Sequence, residues 1–199
     1  MKKIFILAIV LSLVYAGVFI IPGSFDKFAL DPEKVYKGEF WRFITYPFVH
    51  LNIAHLLENI GGLFLVCFIA NELKTLFSDF SMTYISSGFF AVIPLWIVMQ
   101  FIALGASTAV YSGFGLISLE TSRYNIKPLF VIMGFSFITF IKSIIDGVSF
   151  GVSEEFLAAF SQDLAHFSGF LFGIMFFLGL GLVKALLAKR KTNILRRFA

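Results

Sequence analysis

The sequence predicts an all-α polytopic membrane protein, a bundle of six transmembrane helices in a single domain over residues 1–199, and three observations carry that prediction. Hydrophobic residues make up 59% of the 199 positions and charged residues only 14%, against roughly 45–50% and about 25% in an ordinary soluble domain. The apolar residues fall in runs mostly of about 18–24, the length that crosses a hydrocarbon core of roughly 30 Å. Charged residues gather between and beyond those runs, at the two faces of the expected bilayer.

The first span covers residues 4–21 behind Lys2 and Lys3 and ends at Pro22-Gly23. A cleaved signal peptide is the rival reading. The apolar run continues through Ile20-Ile21, past any cleavage site at Tyr15-Ala16-Gly17, which favours a retained helix. Residues 23–50 mix charges with Phe25, Phe28, Phe40, Trp41, Phe43, Tyr46 and Phe48, the composition of a loop half immersed in the interface. Within it Glu39 and Arg42, three apart, read as a surface pair that contributes little energy and serves to hold the shape of the loop. Further spans follow at 54–71, at 80–103 with Pro94 tolerated inside the bundle, at 107–119, at 127–146 and at 162–183, with a loop over 147–161. Near the end of the fifth, Lys142 and Asp146 stand four apart, and snorkelling accounts for the lysine.

Charge decides the orientation. Lys2, Lys3, Lys74, Arg123, Lys127 and the tail cations Lys184, Lys189, Arg190, Lys191, Arg196 and Arg197 fall on one side and hold most of the 16 basic residues. That side is cytoplasmic, both termini with it, and the cell membrane of a prokaryote is the expected location. The same grouping explains the net charge of +4 without nucleic acid, since no stripe of alternating basic and aromatic residues occurs. Cys67 is the single cysteine. It permits no intramolecular disulfide and no thiolate metal cluster, so neither a metal nor a cofactor is expected.

The fourth span carries the chemistry. From Ser107 to Leu119 it has 13 residues, roughly 20 Å, so with its far end at the cytoplasmic face it begins about 10 Å below the external one. Backbone that enters so deep must be buried in protein or line a wet cavity. Ser107 opens this helix after Gly105-Ala106. In isolation such a serine is usually a packing residue that bonds the preceding turn. His166 of the sixth span, at the same external depth, changes the reading, because a serine becomes nucleophilic when a positioned base takes its proton.

His55 and Asn59 stand one turn apart on the second span. They are either interhelical polar contacts or, with the free N–H of Ser107, donors to an oxyanion. Tyr111, four residues after Ser107, is placed to stack on the imidazole. Gly169 and Gly173 share a face with His166 and allow close approach to the fourth helix, where Gly113 and Gly115 are available. Asp163, three before His166, is either a third catalytic member or a helix cap. Glu58, beside Asn59, is costly inside a span and marks either function or contact with a wet cavity.

Taken together, Trp41-Arg42, the His-Leu-Asn-Ile-Ala-His-Leu-Leu-Glu-Asn run over 50–59, Gly105-Ala106-Ser107 with Tyr111, and Ala165-His166 with Gly169 and Gly173 resemble the rhomboid family of intramembrane serine proteases. The resemblance spans nearly the whole chain. It implies a Ser107–His166 dyad that needs no acid, cleavage of transmembrane segments of protein substrates within the lipid bilayer, and a supporting role for His50 near the first loop or the oxyanion. Thr108 departs from the family's usual glycine and adds bulk beside the nucleophile. The alternative is a rhomboid-like protein that binds membrane clients without cutting them. Retention of both Ser107 and His166 favours the enzyme.

Overall fold

The computed structural model describes the backbone of residues 2–151 and 153–197, and the side chains of those residues except 2, 142, 146, 150, 155 and 191–197. The Lys142–Asp146 pair, Glu155 and the tail cations Lys191, Arg196 and Arg197 therefore lie outside the described side chains. The described residues are mainly helical: α1 (Lys2–Phe19), short helices α2 (Ser24–Phe28), α3 (Pro32–Tyr36) and α4 (Arg42–Thr45), then α5 (Ile53–Glu72), α6 (Phe77–Phe90), α7 (Ile93–Met99), α8 (Ser107–Glu120), α9 (Pro128–Phe150) and α10 (Glu154–Arg197).

By length and apolarity, α5, the α6–α7 pair over Phe77–Met99 and the Phe156–Arg190 part of α10 are each able to cross a bilayer. Helix α9 is a further candidate as two segments, Pro128–Ile141 and Ser143–Ser149, bent by 49°. Their outer faces carry large exposed apolar side chains such as Phe68, Met82, Phe130, Phe137 and Leu178, as expected where lipid replaces water. This is an integral membrane protein. Helix α8 is different, with 14 residues and buried side chains on most of its circumference. It is the axis of the bundle, packed against α5, α6, α9 and α10.

Small residues set that packing. A Cβ at Gly169 or Gly173 of α10 would overlap the backbone of Thr108 or Ser112 on α8, and one at Gly115 would overlap the Phe170 carbonyl. The two helices thus touch backbone to backbone. Gly113 does not share this contact. It faces α5, where a Cβ would sit 2.5 Å from Val66 Cγ1, because on a 3.6-residue period it lies on a different face from Gly115. On the α6 side a hydroxyl pair, Ser87 and Ser112 at 2.5 Å, joins the helices. Leu63, Val66, Cys67, Phe80, Tyr84 and Leu116 fill the main core.

Four details differ from the sequence reading. The 80–103 span is two helices. Pro94, which lacks an N–H donor, sits in the first turn of α7, and the helix ends at Met99 with Gln100 left-handed. Ala103 instead pairs with Leu30 through two backbone hydrogen bonds of 2.9 and 3.0 Å. The 147–161 loop is largely helix, since α9 runs to Phe150 and α10 starts at Glu154.

Arg42 pairs with Glu39 and holds the loop, as its spacing suggests, but it does so buried and not at the surface. It is 2% exposed and donates to Glu39 Oε2 at 2.6 and 2.8 Å, to Ala29 O at 2.6 Å and to Asp26 O at 2.7 Å. Its planar fork is suited to holding several acceptors at once, and so it fixes the first loop. Finally, Asp163 lies well inside α10 and caps nothing. Its Oδ2 accepts from Ser143 Oγ at 2.5 Å and ties α10 to α9.

Candidate active site

Helix α8 begins where the chain turns sharply out of the 100–106 segment. Gly105 has φ +91°, a conformation costly for any residue with a Cβ, and its N–H donates to Tyr46 O at 3.0 Å, which pins the turn to the first loop. Ala106 follows with no side-chain cap. The opening N–H groups of α8 therefore have no side-chain acceptor and carry the positive end of the helix dipole. Ser107 stands at that end.

The space around Ser107 is open. A cavity of about 360 Å³ reaches it from the α7 and first-loop side, between Tyr46, Phe101, Thr108 and Ala165. A second, of about 190 Å³, lies toward α5 between Glu58, Asn59, Val110 and Tyr111. Ser107, His166, His55 and Gln162 line both. Serine and histidine thus share one solvent-reachable space although they come from different helices. Among the described residues no hydrogen bond joins them. Such bonds are often long in unliganded enzymes and tighten when substrate excludes water.

Tyr111 lies flat on the His166 imidazole, ring centroids 4.5 Å apart and planes 3° from parallel. That contact fixes the plane of the imidazole, while the glycine contacts fix its helix. Asp163, bonded to Ser143, makes no hydrogen bond to His166 among the described residues.

On the opposite wall, α5 starts with Asn52 Oδ1 accepting from His55 N at 2.8 Å. His55 Nδ1 is the acceptor for Leu51 N–H at 3.5 Å. That assignment leaves the proton on Nε2, the nitrogen turned toward Gly105. A Cβ at Gly105 would lie 2.9 Å from His55 Nε2 and 3.8 Å from Asn59 Nδ2. Asn59 Nδ2 spends one proton on His55 O at 2.8 Å, and an amide nitrogen carries two. Both side chains thus keep a donor close to the turn that carries Ser107.

His50 does not reach the cavities. Its ring packs between Tyr15 and His55, 5.3 Å from each, and so buttresses His55 from behind. Burial first, and the neighbouring His55 second, push His50 down to about 4. It is neutral at pH 7.

A family model for the rhomboid domain matches residues 37–183, which include Ser107, His166, His55, Asn59, His50 and Tyr111. The chain belongs to the rhomboid family. A relative from Neurospora crassa, described as rhomboid-type serine protease 2, is 32% identical over 166 residues, covering 79% of this chain and 56% of the relative. This rhomboid chain thus spans little more than half the length of the curated relative it matches. The relative is fungal, so family membership gives no reason to restrict the membrane to that of a prokaryote.

Two participants in the rhomboid site were not singled out from sequence. Gln162 lies one turn from His166 on the same face of α10, a spacing that identifies it once His166 is fixed. Tyr46, whose carbonyl holds Gly105, looks in sequence like any other aromatic of the interfacial loop.

Proposed function

We propose that this rhomboid protein is an intramembrane serine endopeptidase that cuts transmembrane segments of other membrane proteins with a Ser107–His166 dyad. The observation that carries the proposal is the convergence of Ser107 and His166 on shared cavities, with the donor edges of His55 and Asn59 against Gly105. In the reaction His166 takes the proton of Ser107 Oγ as the oxygen attacks the scissile carbonyl. The carbonyl oxygen, now anionic, accepts from His55 Nε2, Asn59 Nδ2 and the backbone N–H of Ser107. The imidazolium then protonates the leaving amine, and water, deprotonated by His166, hydrolyses the acyl-enzyme. Asp163 takes no part in proton transfer.

The same proposal includes six spans, with α1 and the short α8 counted among them, and both termini cytoplasmic by the distribution of Lys and Arg. With α8 starting about 10 Å below the external face, a substrate helix must unwind to reach Ser107. Gly or Pro near the external end of a substrate therefore speeds cleavage.

The test uses single-span proteins in liposomes, half of them carrying Gly-Ala near the external end and half Leu-Leu. The wild-type protein is expected to cut the first set faster and Ser107→Ala to cut neither. Cleavage by Ser107→Ala refutes the assignment, equal rates refute the unwinding step, and Ser107-independent binding without cleavage favours the client-binding alternative.

A further inference from the structure

Glu58 is the one carboxylate in the lining of the two cavities. It sits between His55 and Asn59 in the second turn of α5, and the helix carries no other charged residue before Glu72 at its far end. A carboxylate in such a helix is expensive unless it meets water or a cation. Glu58 is exposed and lines the cavity of about 190 Å³ that also touches Ser107 and His166, the space in which it can be solvated. It meets no cation, since among the described residues the ion pairs are Lys34–Asp26, Arg42–Glu39, Arg123–Glu120 and Lys184–Asp79. The other polar groups of that cavity are His55, Asn59, Ser107, Tyr111, His166 and the Gln162 amide, all of which are committed to the proposed catalytic arrangement or uncharged.

We infer that Glu58 is a specificity determinant that receives a lysine or arginine side chain of the substrate from a position flanking the scissile bond. The inference rests on the protease reading and names the substrate class for the same site. A peptide whose carbonyl lies between Ser107 and the His55–Asn59 donors necessarily projects neighbouring side chains into the adjoining cavities. The one on the α5 side is lined by Glu58. A long basic side chain carries an apolar stem past Val110 and Tyr111 and sets its charge at the carboxylate near the mouth. Methionine, of similar length, fills the same space and leaves the carboxylate without a partner.

The experiment starts from a parent single-span segment that the wild-type protein cuts in a Ser107-dependent way. Each of the two residues on either side of the scissile bond is changed in turn to Met, Lys or Glu, and kcat/KM is measured in liposomes. At one of these positions Lys is expected to exceed Met by roughly tenfold, the effect of one charge-assisted hydrogen bond at a partly exposed site. Glu58→Gln removes that Lys-to-Met ratio, and Glu58→Lys inverts it in favour of Glu. Equal rates for Lys and Met in the wild type, or a Lys preference that survives Glu58→Gln, overturns the inference. A charge effect acting only through His55 would change all substrates alike and leave the ratio intact, which also counts against it. If no segment is cut in a Ser107-dependent way, the protease reading itself fails, whereas a parent that is cut with no Lys preference sinks only this inference.

Discussion

Replacing Gly169 by alanine adds one methyl group to α10 where it presses on α8. The new Cβ would lie 2.3 Å from the Thr108 carbonyl oxygen and 2.8 Å from Thr108 Cα, while ordinary contact begins near 3.4 Å, so the helices must separate by about 1 Å at this point. The obstacle is backbone and cannot rotate away. Overpacking of this kind costs about 1–3 kcal/mol, and it lies one turn from His166 on the same helix. Because a misplacement of roughly 1 Å at a catalytic group costs about 10² in rate, a shift of this size should slow the reaction about a hundredfold. The assay is the second-order rate of fluorophosphonate labelling, with thermal unfolding as the measure of stability. Gly179→Ala, on the same helix with nothing within 4 Å of its added Cβ, should label at the wild-type rate. A folded Gly169→Ala protein that labels as fast as wild type would falsify the claim that this contact positions His166.

Three other outcomes are expected. Asn59→Ala and His55→Ala should each lower kcat by about 10²–10³ with KM nearly unchanged; a change confined to KM would make them binding or packing groups. Asp163→Ala should reduce activity by less than about tenfold and lower the unfolding temperature, since it loses the Ser143 bond; a loss of several hundredfold in a folded protein would restore Asp163 as a catalytic member. His50 is neutral in the folded protein, its pKa lowered from 6.5 to about 4, so the unfolded chain binds the extra proton as pH falls. The stability His50 contributes is therefore complete above about pH 6.5 and lost progressively toward about pH 4. A melting series should show that decline, shallower in His50→Gln; the same slope in both proteins would contradict it.

What was legible in the sequence follows from how local each signal is. Apolar run length is local, and so the helices stand close to where composition puts them. The His55–Asn59 spacing and the Tyr111 and Gly169 positions obey helical periodicity, and the sequence already brought them toward Ser107 and His166. The Glu39–Arg42 pair was legible from its spacing, but the burial of Arg42 was not, because its further acceptors, the carbonyls of Asp26 and Ala29, belong to a loop whose path no pattern announces. Gly113 was misread because two glycines two residues apart cannot share a helix face, and sequence alone did not show which of them meets α10. The broken span at Pro94 and the Leu30–Ala103 pairing depend on contacts between distant segments. Gln162 was within reach of periodicity, yet it gains meaning only beside a cavity.

The central claim is that Ser107 is a nucleophile activated by His166. Its most direct measurement is mass spectrometric mapping of the residue modified when purified protein is treated with a fluorophosphonate, for the wild type, Ser107→Ala and His166→Ala. Modification is expected at Ser107 in the wild type, with none in Ser107→Ala and a strongly reduced rate in His166→Ala. Modification at another serine, or a His166→Ala protein that labels at the wild-type rate, contradicts it.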